Sequence, residues 1–373
     1  MPWRNTCTME ERISFIKAAE GGEVPLSVLC QQFGISRKTG YKWLSRFDRD
    51  GDQGLEDRRS SRVFTRSYPD AVFEILLSLR AKHPTWGPIK LKRHLDFRQP
   101  NEKWPSVSTI KEFLRRSGVS RYRRKYRSPI HTPHKTLSAM TSPNSVWCAD
   151  FKGWFRTKDG HRCEPLTMID GFSRYLLVCK NVNSRKFSVM QDIFSRAFYD
   201  YGTPSIMLTD NGPPFGSRGL CSLSPLSVWL IKKGIYPEKI RPGHPEDNGR
   251  QERFHKTLKA DAISPASRNL QEQQKRFDIF RHEYNNERPH QSLGNMTPSM
   301  LYRHGSRRCS VKYEYSMEQT VTKVSSKGYI QFNGRTIYLT ESLANEDIGI
   351  GPVQKNGRPL VFLGYPLGYL EQA

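Results

Sequence analysis

Residues 145–182, SVWCADFKGWFRTKDGHRCEPLTMIDGFSRYLLVCKNV, decide how the chain is read. Three runs, 145–155, 163–170 and 173–182, are separated by Asp159-Gly160 and Asp170-Gly171, dipeptides that favour tight hairpin turns. They predict an antiparallel meander. Further on, 184–202 sets Phe187, Met190, Phe194, Ala197, Phe198 and Tyr201 at helical spacing before Gly202, and SIMLTD (205–210) reads as a short buried strand. A helix opened by Ser224-Pro225, a last short strand in GIYPEKI (234–240), and two helices from about Asn248 and Ser264 complete this segment. The expected result is a mixed sheet with helices.

The chain before this segment is helical. MEERISFIKAAE (9–20) clusters Ile13, Phe15 and Ile16, and the next stretch runs helical from Pro25 to an interruption at Gly34. Ser36 is placed to cap a helix that carries Arg37, Lys38, Tyr41 and Lys42 outward, with Tyr41, Leu44 and Phe47 partly available for packing. That is a helix-turn-helix with a basic second helix, the geometry that enters a major groove. Residues 48–62 are charged and glycine-bearing, as in a linker. Three more helix candidates, 68–84, 86–95 and 105–119, form a second such unit, with Ser106 or Ser108 as a cap. Its tail, RRSGVSRYRRKYR (115–127), has seven basic residues and no acid. Arg121, Arg123, Arg124, Lys125 and Arg127 alternate there with Tyr122 and Tyr126, which suits phosphate contacts with stacking. The end of the chain, from 321, has short β-rich runs separated by Lys327-Gly328, Asn333-Gly334 and Asn356-Gly357, and reads as a small β-barrel.

Sixty Lys and Arg against 36 Asp and Glu give a net charge of +24. Such a charge repels itself unless a polyanion is the usual partner, so nucleic acid is the expected one. No apolar run approaches the roughly 18 residues of a membrane span. Seven widely spaced cysteines without a C-x-x-C pair argue against a zinc finger or a disulfide framework.

Two strand ends carry an aspartate, Asp150 in VWCADFKG and Asp210 in IMLTDNGPPF. Mg²⁺ takes oxygen ligands, often one or two carboxylates plus phosphate oxygens, so a phosphoryl-transfer site gathers acids from different elements. A third acid is sought in RPGHPEDNGRQERFHKTLK (241–259), which offers Glu246, Asp247 and Glu252. Between Asp210 and Glu246 lie 35 residues, and between Asp210 and Glu252 lie 41. Asn248 as N-cap with Gln251 as its partner starts a helix near Gly249, leaving Glu246 in a loop and Asp247 as an alternative cap. At about 100° per residue, Phe254 and Leu258 then form the apolar stripe, while Glu252, Lys256 and Lys259 share nearly the opposite face.

These segments, together with YNNERPHQSLGNMTPSMLY (284–302) and GLEDRRSSR, resemble the insertion-sequence transposases whose catalytic core is like retroviral integrase, in an RNase H-like fold. The resemblance implies a DDE triad on Asp150, Asp210 and Glu252, the last through a D/S-x-G-x-x-E pattern matched by 247–252. It further implies two Mg²⁺ ions, with Mn²⁺ able to substitute, a loop around them shaped by Asn211, Gly212 and His244, and DNA positioned by Lys256 and Lys259. Element ends and target DNA become the expected partners, bound by a dimer or higher homo-oligomer, in a prokaryotic cytoplasm at the nucleoid and away from membranes. The 41-residue spacing exceeds the one frequent in the family, with 216–229 as the expected site of the extra length. The expected class is a multidomain α and α/β protein. Its expected parts are a helix-turn-helix domain (1–50), a linker (51–67), a second, winged-type helix-turn-helix domain with its basic tail (68–128), a linker (129–140), an integrase-like core (141–305) and a small C-terminal β-barrel (306–373). A DNA-binding regulator with an inactive core, and an RNase H-like nuclease without strand transfer, are the alternatives.

Overall fold

The computed structural model describes residues 8–56, 68–120, 137–217, 223–241, 247, 249–306 and 313–370, in two compact units divided after Pro69. In the first unit, α1 (Thr8–Glu20), α2 (Leu26–Gln32) and α3 (Arg37–Asp50) pack around Phe15, Ile16, Leu29, Cys30 and Trp43. Ser36 caps α3 as expected, its hydroxyl accepting from the Thr39 N–H at 3.2 Å. Trp43 is the residue α3 buries, whereas Tyr41 points to solvent at 63% exposure. The expected linker begins later than its composition indicates. Residues Gly51–Leu55 form a 3₁₀ turn, and Leu55 is fully buried in the helical core, its carbonyl accepting from Arg12 Nη1 at 2.7 Å. Glycine is needed at 54, where a Cβ would collide with the Arg46 carbonyl. One apolar residue among many charges is enough to tie the segment down. Leu55→Ala is expected to destabilise this unit by about 2–5 kcal/mol, read as faster amide hydrogen exchange across α1–α3 in the full chain.

The second unit opens with α4 (Asp70–Lys82), α5 (Pro88–Arg98) and α6 (Val107–Arg116), packed around Leu76, Trp86, Leu91, Leu95, Trp104, Ile110 and Leu114. Ser106 is the α6 cap, accepting from the Thr109 N–H. No strand accompanies these helices among the described residues, so the expected wing is not seen there.

Five strands then make one mixed sheet. They are β1 (Val146–Phe151), β4 (Pro165–Asp170), β5 (Leu176–Asn181), β6 (Ile206–Thr209) and β7 (Tyr236–Lys239), in the order β5-β4-β1-β6-β7. The first three pair antiparallel, as the meander predicts, with β2 (Phe155–Arg156) and β3 (Arg162–Cys163) as a small hairpin around Asp159-Gly160; β6 and β7 run parallel to β1. On one face, α7 (Phe187–Tyr201) and α8 (Pro225–Lys232) pack on Trp147, Ala149, Met168 and Met207. On the other, α9 (Gly249–Leu258) and α10 (Leu270–Asn286) bury Phe254, Leu258, Phe277 and Phe280 against Cys163, Ile169, Leu176 and Cys179. Helix α10 starts six residues later than expected from Ser264, because Asn269 is its cap and accepts from the Glu272 N–H at 2.9 Å. The short α11 (Pro298–Leu301) leads the chain back to the start of β1, where Tyr302 and Trp147 both donate to the Asn144 side-chain oxygen at 3.0 Å. Cys30, Cys148, Cys163 and Cys179 are buried free thiols.

The C-terminal strands are β8 (Thr320–Lys323), β9 (Tyr329–Phe332), β10 (Arg335–Tyr338), β11 (Asp347–Ile350), β12 (Arg358–Phe362) and β13 (Tyr365–Leu370). Their ladders form a four-stranded sheet, β13-β12-β11-β8, and a separate pair, β10-β9. The closed barrel expected from the turn spacing is not formed, because no ladder joins the two sheets among the described residues. Both sheets share one core with Leu223, Val228 and Ile231 at α8, and Lys232 pairs with Glu346 at 2.7 Å.

The α4–α6 bundle rests on the end of α10. Lys82 reaches Glu283 at 3.4 Å, Arg98 reaches Glu287 at 3.1 Å, and His94 Nδ1 lies 3.1 Å from the Glu287 carbonyl oxygen. His83 stacks on Trp86 with ring centroids 4.0 Å apart. Burial lowers the His83 pKa from 6.5 to about 4, and lowers that of His94 as well. The unfolded chain therefore binds these protons more readily, so the stability they contribute is complete above pH 6.5 and is lost as pH falls toward 4. The melting temperature should drop across that window. His83→Phe, which keeps the stack, should give a shallower drop.

Candidate active site

Parallel pairing aligns Val146 with Ile206, Trp147 with Met207 and Cys148 with Leu208. Two residues further on, the same register sets Asp150 beside Asp210, and the period of two puts both on the face that carries Cys148 and Leu208. That face is opposite the one on which Trp147 and Met207 meet α7.

Helix α9 is held to β1 and β4 by two inward polar residues. Gln251 Nε2 donates to the Cys148 carbonyl at 2.8 Å, and His255 Nε2 shares a hydrogen bond with Thr167 Oγ1 at 2.9 Å. His255 Nδ1 lies 3.9 Å from Asp150 Oδ2. Burial, assisted by Lys152, lowers the His255 pKa to about 4. At neutral pH the ring is therefore an uncharged neighbour of Asp150, beyond hydrogen-bonding distance and not an ion-pair partner. Phe254 and Leu258 are buried and Glu252, Lys256 and Lys259 are exposed, as the helix phase predicts. Glu252 thus stands on the outer ridge of a helix whose inner side touches β1. Among the described residues no three His, Cys, Asp or Glu side chains converge as a ready-made metal cluster. Unscreened carboxylates repel one another, which opposes such convergence.

Asp210 sits where β6 ends, its Oδ1 accepting from the Gly212 N–H at 3.2 Å. Burial pushes its carboxyl above the usual carboxylate range, opposed by that N–H, Arg185 and Lys239. Lys239 ends β7 opposite Thr209, and burial lowers its ammonium pKa against the pull of Asp210. Asn211 Nδ2 donates to the Ile240 carbonyl at 2.7 Å, tying the loop to β7. Arg185 closes the rim, with its guanidinium 4.2 Å from the centroid of the Phe151 ring and bonds to the Pro213 carbonyl and to Glu164.

The three acids of 241–259 have different surroundings. Asp247 is held bidentate by Arg241, with Nε and Nη2 both donating at 2.8 Å. Glu246, His244 and the expected cap Asn248 lie outside the described residues. The proposed cap partner Gln251 is not a surface capping residue; it is 2% exposed and faces β1. Of the expected DNA contacts, Arg37, Lys38, Tyr41 and Lys42 are all exposed on α3, and residues 121–127 lie outside the described residues. Sequence reasoning missed Gln251, His255, Lys239 and Arg185. The signal for the first two was present, since 251, 254, 255 and 258 fall on one side of the helix and include two polar residues one turn apart.

Residues 140–245 and 233–298 each match a family described as integrase core domain. Residues 11–62 match a helix-turn-helix domain family and 39–114 a homeodomain-like domain family. The fold and these matches define an integrase-type core preceded by helix-turn-helix units. A protein of insertion element IS407 from Burkholderia multivorans is 26% identical over 191 residues, which cover 51% of this chain and 66% of that protein. The transposase for insertion sequence element IS904 from Lactococcus lactis is 28% identical over 170 residues, which cover 44% of this chain and 64% of that one. The chain is accordingly a homologue of insertion-sequence transposases with an integrase-like core, and it spans less than two thirds of the length of these two relatives. Among solved structures, the catalytic core domain of HTLV-2 integrase in complex with magnesium is 16% identical at a TM-score of 0.32, covering 44% of this chain and 99% of that one.

Gln251→Leu should remove the bond to β1 and cost about 1 kcal/mol in denaturant unfolding. Hydrogen exchange should rise within α9 and stay unchanged in α7.

Proposed function

We propose that this chain is a DNA transposase that binds the ends of a mobile element and catalyses metal-dependent strand cleavage and strand transfer. The observation that carries the reading is the parallel register of β1 with β6, which aligns Cys148 with Leu208 two residues before Asp150 and Asp210, in a core whose helix α9 carries Glu252. The donor set fits Mg²⁺, for all three side chains offer carboxylate oxygen, and the half-buried Asp210 carboxyl is one whose charge a cation would stabilise. Asp150 and Asp210 would hold the ions jointly, with Glu252 completing the second site. Divalent ions held there would stabilise charge on the attacking and leaving oxygens of an in-line phosphoryl transfer.

The other residues act by position. Asn211 and Gly212 shape the loop after β6, and Lys256 and Lys259 hold DNA phosphates beside Glu252. His255, neutral and bonded to Thr167, keeps α9 against β4 without adding a competing cation next to Asp150. Segments 1–50 and 68–128 recognise the element ends, Arg37, Lys38, Tyr41 and Lys42 from the first and the basic run 121–127 from the second. Paired ends require a dimer or a higher homo-oligomer.

The test incubates the protein with labelled DNA from the flanks of its coding region and Mg²⁺. Nicking and joining are expected; binding alone would favour a regulator, and nicking without joining a nuclease. Asp150→Asn, Asp210→Asn and Glu252→Gln should each abolish nicking while leaving DNA binding, and Glu246→Gln should change little. Activity surviving in Glu252→Gln but lost in Glu246→Gln would reverse the choice of third acid.

A further inference from the structure

The β1–β6 ladder sets the level of Asp150 and Asp210 along the sheet but not the distance between them. Its last paired residues are Cys148 and Leu208, two residues before the aspartates. Beyond that point Asp150 is held by β4, opposite Thr167, while Thr209, which precedes Asp210, is held by β7, opposite Lys239. Each acid is thus carried by a different neighbour, just where two carboxylates sharing a cation must keep a fixed spacing. We propose that Arg185 is the positioning residue that fixes this spacing and thereby sets the affinity of the pair for a divalent cation. The proposal rests on the carboxylate site of the transposase reading.

One guanidinium touches the chain next to both acids. Its Nη1 donates to the Pro213 carbonyl at 2.9 Å, three residues after Asp210. Its Cζ lies 4.2 Å from the centroid of the Phe151 ring, the residue after Asp150. Its Nη2 donates to Glu164 Oε1 at 2.5 Å, just before β4, and the Glu164 side chain is only 10% exposed. Arg162 reaches the other Glu164 oxygen at 3.5 Å, so Arg185 is the close partner. Losing the partner of a buried carboxylate is costly, and the guanidinium is therefore firmly anchored beside β1 and β4. A planar fork can donate in two directions while lying on an aromatic face, which an ammonium cannot.

Other anchors of the loop after Asp210 lie on its far side. Asn211 ties it to Ile240 beyond β7, and the Phe215 carbonyl accepts from Ser224 and Ser227 at the start of α8. Phe215 also packs on Phe151, with ring centroids 5.8 Å apart, but an apolar contact has no direction. Arg185 supplies the directional tie between the loop and the end of β1.

Charge and geometry predict opposite signs. A cation near Asp210 opposes a metal ion, so a residue acting through charge alone would tighten metal binding when removed. Glu164 neutralises this guanidinium, and geometry prevails: removal weakens binding.

The experiment measures Mn²⁺ binding to the full chain, from loss of the free-ion electron paramagnetic resonance signal, and amide hydrogen exchange over residues 211–216 in metal-free protein. Wild type should bind Mn²⁺ at a site that Asp150→Asn and Asp210→Asn remove. Arg185→Gln should weaken that site by about tenfold, as loss of an outer-shell partner does. It should also speed exchange at Phe215 and Gly216, whose N–H groups donate to the Gly212 carbonyl, with the melting temperature retained. Arg185→Lys keeps the charge without the fork and should stay weakened, and Glu164→Gln should move both readouts in the same direction. Arg196→Gln, which removes an exposed cation paired with Asp200 on α7, should move neither. Unchanged or tighter Mn²⁺ binding in Arg185→Gln, full recovery in Arg185→Lys, or weaker binding with unchanged exchange would each overturn the positioning role and leave the transposase reading standing. A wild-type protein with no Mn²⁺ site that the two aspartate substitutions remove would overturn both.

Discussion

Parallel pairing of β1 with β6 is the contact on which the candidate site depends. Parallel neighbours cannot be joined by a tight turn, so the chain completes the meander and crosses over through α7 before β6 can lie beside β1. The alignment of Cys148 with Leu208 then fixes the level at which the two aspartates emerge. A slip of one residue would turn Asp210 to the α7 face and leave Asp150 alone on the α9 face. Such a slip is opposed by the core itself, because it would also expose Met207, which is fully buried against α7.

The second constraint is the orientation of α9. Phe254 and Leu258 would hold a helix against the sheet by burial alone, but apolar contact tolerates rotation and sliding. Gln251 and His255 add direction, since each must meet a particular oxygen on β1 or β4. A charged residue in the His255 position would carry a large desolvation cost. A neutral imidazole supplies the hydrogen bond without it.

Much of this arrangement is legible in the sequence because it is periodic. The meander, α7, the capped starts of α3, α6 and α8, and the exposed face of α9 follow from alternation, helical spacing and cap chemistry, all of which act over a few residues. Features that depend on distant partners are not legible in this way. Leu55 looks like a stray apolar residue in a charged linker until α1–α3 form a core for it to enter. Gln251 reads as a cap partner because its actual partner, the Cys148 carbonyl, is 103 positions away. Barrel closure needs strand ends to meet, and turn spacing says nothing about that.

The ion pair between Arg241 and Asp247 separates one acid of this stretch from its neighbours. Residues 241–252 carry three acids, and any carboxylate near a divalent ion competes for it. Arg241 occupies both oxygens of Asp247 and so withholds a potential stray ligand. Of the neighbouring acids, Asp247 is thus the one whose oxygens are already taken by a fixed cation.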